Sequence, residues 1–342
     1  MSAVGSQRTV GRLLALALGA TLVLAASTLA GPVRIGWSDI VGPEPSRIFW
    51  SIRVPRTLLA GLVGAGLSIG GVVFQALFRN PLATPYTLGI DAGAALGAAI
   101  GFLSGIGGLW TLGPLLGASL AIPKLALLAF AGASTALVLC FLMSRLRGGQ
   151  DLTHLLLAGV CISYMSSAGV FLVAFLAHRP ITNEIITWTM GSLATLRPGA
   201  LAEVAVALVP VAVFALYQHR AIDLLALGDQ LAASRGVAVQ RVVWSSFALV
   251  GLLVAVIVAN CGPIGFVGLI VPHITRVLVG ERALPLLVGS AIVGAGFLAA
   301  CDAVARGISA YEPPVGIITN ILGAAFFFYL LATRDAPYAS GR

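Results

Sequence analysis

Long uncharged stretches, each closed by a short polar or glycine-proline segment, set the pattern of this chain. The apolar runs predict helices near 11–31, 54–77, 86–107, 121–144, 153–177, 200–218, 242–260, 264–279, 283–305 and 315–333. Most approach the roughly 20 residues an α-helix needs to cross a hydrocarbon core about 30 Å thick. Inside lipid, backbone polar groups must be satisfied within the protein, which favours helices over open strands. The pattern therefore predicts an all-α, polytopic membrane protein with about ten transmembrane helices, forming one domain over residues 1–342.

Two interruptions are longer than turns. Between the sixth and seventh runs, Ala221 to Arg241 is polar enough to leave the membrane. Within it, Asp229 to Arg235 has helix-forming composition, with Gly228 before and Gly236 after. An acid at the start and an arginine near the end suit the helix dipole, so a short helix lying on a membrane face is expected. Between the fifth and sixth runs, residues 181–196 predict a second short helix, on the opposite face. The second and third runs are rich in small residues, among them Gly61, Gly64, Gly66, Gly70 and Gly71. Such residues let helices approach closely where lipid supplies no hydrophobic drive, and by themselves they mark packing only.

Composition agrees with the pattern. The chain is 59% hydrophobic and 9% charged, with mean hydropathy +1.03, which excludes a soluble domain of this size. The net charge of +8 comes almost wholly from single arginines, and Lys124 is the only lysine. No basic run forms a nucleic-acid patch. With ten spans both termini share a side, and the arginine bias modestly favours placing that side in the cytoplasm. Arg8 and Arg12 precede Leu13 to Ala30, a segment that could be a cleaved signal peptide but reads better as an uncleaved first helix. Cys140, Cys161, Cys261 and Cys301 sit in apolar stretches without metal-type spacing and read as small hydrophobes.

Candidate chemistry is sparse. A phosphate-binding loop needs Gly-x-x-x-x-Gly-Lys-Ser/Thr, whereas Lys124 stands between Pro123 and Leu125. The chain cannot energise itself with ATP. An ion-coupled carrier needs ionisable groups deep in the membrane, and Asp91, Glu203 and Asp302 fall near predicted span ends. His154, His178, His219 and His273 fit interfacial or packing roles better than metal ligation, and no metal site is expected. A neutral conduit driven by a separate ATPase fits this lack of charge, with an ion-coupled secondary transporter as the rival class.

Six short motifs sharpen this reading. They are Arg53-Val-Pro-Arg56, then Gln75-Ala-Leu-Phe-Arg-Asn-Pro-Leu-Ala83, then Leu155-Leu-Leu-Ala-Gly159. Further on come Leu225-Ala-Leu-Gly228, Gly262-Pro-Ile-Gly-Phe-Val-Gly-Leu-Ile-Val-Pro-His273, and Pro314-Val-Gly-Ile-Ile-Thr319. In this order, over roughly residues 47–333, the chain resembles the permease subunits of bacterial ABC importers for iron-siderophore complexes, haem and vitamin B12. The resemblance implies a ten-helix inner-membrane permease like that of the vitamin B12 importer, working as a homodimer or with a similar second subunit. It further implies two cytoplasmic ATPases holding ATP and magnesium, a periplasmic binding protein, and no cofactor on this chain. The path would run along the dimer axis, lined chiefly by the fifth and tenth spans. Spans two to five and seven to ten would be inverted repeats, a symmetry not visible in the sequence.

Roles follow from the resemblance. Arg53, Arg56 and Arg306 match positions that pair with acids on the binding protein, with snorkelling helix-end arginines as the plain alternative. Leu227, Gly228, Asp229, Ala232, Ala233, Arg235 and Gly236 match the helix that couples to the ATPase. Leu152 and Thr153 align with the cytoplasmic gate, although Asp151-Leu-Thr-His154 lacks a clear Ser/Thr pair. Ser163, Tyr164 and Ser167 offer a mixed surface along the path. The implied cargo is an iron chelate, siderophore or haem, with vitamin B12 as the close alternative.

Overall fold

The computed structural model describes residues 3–33, 35–36, 40, 42, 47–105, 109–115, 118–146, 152–194, 199–308 and 311–333; for 3–6, 109–115, 118–124, 144–146, 152–154 and 333 only the backbone is described. Among the described residues the chain is helical apart from one hairpin. Helix α1 is Ala3–Leu29. A π-helical turn, Ile48–Arg53, runs straight into α2, Val54–Phe78. A 3₁₀ turn at Pro85–Leu88 leads into α3, Ile90–Leu103. The antiparallel hairpin β1, Leu109–Leu115, and β2, Ala118–Pro123, joins α3 to α4, Lys124–Leu146. Then follow α5, Leu152–Leu176, the short α6, Arg179–Thr189, and α7, Ala200–Tyr217. Two further short helices, α8, His219–Leu227, and α9, Asp229–Ser234, precede α10, Val239–Cys261. The chain closes with α11, Val267–Val279, α12, Ala283–Ile308, and α13, Val315–Thr333.

Eight of these helices are long and apolar enough to cross a membrane, while α3 and α11 are shorter apolar helices of 14 and 13 residues. Together they account for all ten expected runs. The two short ones start late because their expected first turns are not α-helical. Gly89 in the left-handed region caps α3, and Gly262 at φ 67° followed by Phe266 at φ 65° opens the way to α11.

The core is built on α2, whose face is buried nearly end to end, from Arg56 to Phe78. Helix α2 packs against α12 and α11, and α3 packs against α4 and α5. Gly64 and Gly294 meet backbone to backbone, so a Cβ at Gly64 would overlap the Gly294 carbonyl; Gly71 meets Gly268 in the same way. Without water to squeeze out of a lipid-exposed seam, such contact supplies the dispersion attraction that holds the helices.

The packing also repeats between two halves of the bundle. Exchanging α2, α3, α4 and α5 for α10, α11, α12 and α13 maps each contact onto another. The α2–α12 pair becomes α10–α4, α2–α11 becomes α10–α3, and α3–α4 becomes α11–α12. The α3–α5 and α4–α5 pairs become α11–α13 and α12–α13.

Candidate functional site

Polar side chains gather at the two ends of the bundle. Arg56 opens α2 and Arg79 caps it; a 25-residue helix rises about 37 Å. The Arg53 and Arg56 cluster and the segment around α9 therefore stand on opposite faces.

At the first end, three arginines converge on few acids. Arg56 donates from Nε to both Asp302 carboxylate oxygens at 3.1 Å and from Nη2 to Oδ1 at 2.8 Å. Its remaining Nη1 donates to Glu312 Oε2 at 2.6 Å. Arg306 approaches the same Asp302 from one turn further along α12, with Nε 3.0 Å from Oδ2. Arg306 also donates to the carbonyls of Ala30 and Ser27, both at 2.9 Å, and Arg53 donates to those of Leu29 and Val33. The last carbonyls of a helix lack internal partners and carry its negative pole, so Arg53 and Arg306 cap the end of α1. All three arginines are buried and Asp302 is fully so, whereas the Glu312 side chain is 27% exposed. In a low-dielectric setting such pairs persist only because their hydrogen bonds are completed.

This geometry bears on the docking role expected for Arg53, Arg56 and Arg306. Their guanidinium groups point into the chain, not outward as free hooks. Sequence reasoning missed the acids that hold them. The available signal was Asp302 one helical turn before Arg306 in an otherwise apolar run.

At the opposite end, α9 forms as expected, with Gly228 at φ 137° before it and Gly236 at φ 82° after it. Helix α8 was not expected; it turns Ile222 and Leu225 into the core. Asp229 lies 3.6 Å from Arg79, both half-exposed. Leu227, Ala233, Arg235 and Gly236 are exposed, but Ala232 is fully buried and faces the chain's own bundle. Arg276 Nη2 donates to Gln75 Oε1 at 2.9 Å, and Asp223 Oδ1 accepts from the Ala283 amide at 2.7 Å. These groups border a cavity of about 560 Å³ that also takes in Asn80 and His273. Arg12 donates to the Leu278 carbonyl at 2.9 Å, placing the start of α1 at this end.

Along α5, Tyr164 is 76% exposed, while Ser163 donates back to the Gly159 carbonyl at 2.9 Å and packs against Gly89. Ser167, one turn beyond Ser163, is half-buried. The side chains of Leu152 and Thr153, the expected gate, lie outside the described residues, and their backbone begins α5. Midway through the bundle a second cavity, about 370 Å³, opens where α3 and α11 begin; Tyr86, Asp91, Phe266 and Asn320 line it.

The sequence matches the FecCD transport family over residues 14–333. It is 35% identical over 336 residues to the hemin transport system permease protein HmuU of Yersinia pestis, covering 95% of this chain and 98% of that one. Over 290 residues it is 37% identical to a probable iron chelatin transport system permease protein of Helicobacter pylori, covering 84% of this chain and 82% of that one. It is 36% identical over 325 residues to the vitamin B12 import system permease protein BtuC of Escherichia coli O139:H28, covering 93% and 94%. In structure it is similar to a metal-chelate type ABC transporter in an inward-facing conformation, at TM-score 0.79 and 32% identity, covering 94% of this chain and all of that one.

Proposed function

The chain belongs to the FecCD transport family and is an ABC importer permease, and from that premise we propose that it carries an iron chelate, a siderophore complex or haem, inward across the bacterial inner membrane. The match across residues 14–333 carries this reading. The hemin and iron chelatin relatives favour an iron-containing cargo. Vitamin B12 is the second reading, favoured by the likeness to BtuC.

The division of labour follows from what the side chains can do. The chain has no phosphate-binding loop, so hydrolysis belongs to two ATPase subunits that hold ATP and magnesium. Leu227 to Gly236, with α9 at its centre, is the contact through which they move the permease. A six-residue helix fixed at both ends by glycine turns can transmit a displacement as a rigid body. The opposite end, with Arg53, Arg56 and Arg306, receives a periplasmic binding protein through its acidic residues. In this arrangement both termini are cytoplasmic, a second copy of the chain completes the path between α5 and α13, and Leu152 and Thr153 close it on the cytoplasmic side.

Reconstitution in vesicles tests the reading. With its ATPases and binding protein, the permease is expected to accumulate a ferric siderophore or haem only when ATP is present. Accumulation under a proton or sodium gradient alone would overturn it, and uptake of cobalamin with no uptake of either iron compound would move the assignment to the second cargo.

A further inference from the structure

We infer that Glu312 is a resident carboxylate in the docking seat, which an acidic residue of the binding protein displaces from Arg56 when it docks; the inference rests on the docking role proposed for this end of the chain.

The two acids that hold Arg56 differ in every respect that decides which can leave. Asp302 is fully buried on α12, accepts from both nitrogens, Nε and Nη2, of one edge of the Arg56 guanidinium, and is shared with Arg306. Its withdrawal would strand two buried cations, the costly way to break a buried ion pair. Glu312 holds Arg56 through one donor, Nη1, at 2.6 Å. Its side chain is partly exposed, and it sits in the connection between α12 and α13. Its backbone is in the left-handed region at φ 40°, a conformation that an L-residue without special support disfavours. An incoming carboxylate at Nη1 would replace the charge-assisted bond Glu312 gives up, so the exchange leaves no buried donor unpaired.

The charge balance of the cluster favours an acidic partner. Arg53 donates to carbonyl oxygens, not to a carboxylate. Among the described residues of the cluster, three guanidinium groups therefore face two carboxylates, an excess of one positive charge. With Glu312 swung away the excess doubles, so a docked acid meets a stronger field than the resting surface presents. Glu312 then sets a threshold: weakly acidic surfaces fail to displace it, and a well-placed carboxylate succeeds.

The test uses the assembled transporter in lipid nanodiscs and the periplasmic binding protein that stimulates its ATPase, with affinity measured at one fixed ionic strength. Glu312→Gln removes the competing charge and is expected to tighten binding about tenfold, while Arg56→Gln weakens it. Unchanged or weaker binding for Glu312→Gln, with binding still lost in Arg56→Gln, overturns the exchange and leaves docking intact. Native affinity in both variants overturns docking at Arg56 as well. A spin label on Tyr311→Cys, in a Cys161→Ser background, gives a reading that keeps Glu312 itself intact. Residue 311 is almost wholly exposed beside Glu312, so the label is expected to change mobility when the binding protein is added. An unchanged spectrum on saturation with that protein counts against the exchange.

Discussion

Two guanidinium groups, from Arg56 and Arg306, share the Asp302 carboxylate at 2.8 and 3.0 Å inside the packed end of the bundle. Removing a carboxylate from such a site leaves the cations buried without a counter-charge, which costs about 3–5 kcal/mol. Asp302→Ala is therefore expected to lower the thermal midpoint of the detergent-solubilised chain far more than Glu312→Gln, whose side chain is partly exposed and whose loss costs about 1 kcal/mol or less. Equal midpoints for the two variants would show that Asp302 is not the anchor. The sequence pointed to the arginines but not to their partners. Arg56 and Asp302 lie 246 residues apart, and apolar periodicity says that a helix is present without saying which helix it faces. Burial of Arg53 and Arg306 depends on α1 ending beside them, which no local pattern reveals.

At the level of elements, α9 has two distinct faces. Ala232 is buried against the chain's own bundle, while its neighbour Ala233 is exposed. A larger side chain at Ala232 overpacks the permease itself, at roughly 1–3 kcal/mol. At Ala233 it meets nothing in this chain and obstructs only a partner seated on α9. Ala232→Leu is thus expected to lower the yield and midpoint of the purified permease. Ala233→Leu leaves both unchanged and uncouples hydrolysis from uptake, measured as ATPase rate against transport in reconstituted vesicles. Intact coupling in Ala233→Leu would place the ATPase contact elsewhere. The existence of this helix was legible because Gly228, Asp229 and Gly236 punctuate it, as was the short helix that the structure places at Arg179–Thr189. Helix α8 was not, because its apolar residues Ile222, Leu224, Leu225 and Leu227 are interrupted by His219, Arg220 and Asp223, and the stretch reads as part of one polar loop. The late starts of α3 and α11 were also hidden. Apolar character continues through Tyr86 to Gly89 and through Ile264 to Phe266, although the backbone is 3₁₀ before Gly89 and non-helical from Gly262 to Phe266. The repeat between the two halves escapes for a related reason: it is a correspondence between contacts, and unlike side chains serve it equally well.

For the molecule as a whole, the exposed surfaces of the helices are of two kinds. Helix α1 presents Leu14, Leu18 and Leu22 at four-residue spacing, a uniformly apolar stripe suited to lipid. Helix α5 instead exposes Cys161 and Tyr164, with half-buried Ser163 and Ser167 beside them, before ending in Phe171 and Phe175. A tyrosine hydroxyl with two serines beside it, midway along a membrane-spanning face that also exposes Val160 and Met165, gains little from lipid and fits a path shared with a second subunit. The difference is open to chemical test, because Cys161 is exposed while Cys140, Cys261 and Cys301 are buried. In the assembled transporter, a membrane-impermeant hydrophilic maleimide is expected to label Cys161. In a Cys161→Ser background it should label Tyr164→Cys and spare Leu18→Cys, read as a mass shift of the permease band. Equal protection of Tyr164→Cys and Leu18→Cys would assign the α5 face to lipid and move the path to another pair of helices. Labelling that rises or falls when nucleotide is added would tie the opening of that path to the ATPases proposed to seat on α9, since the sequence has no phosphate-binding loop of its own.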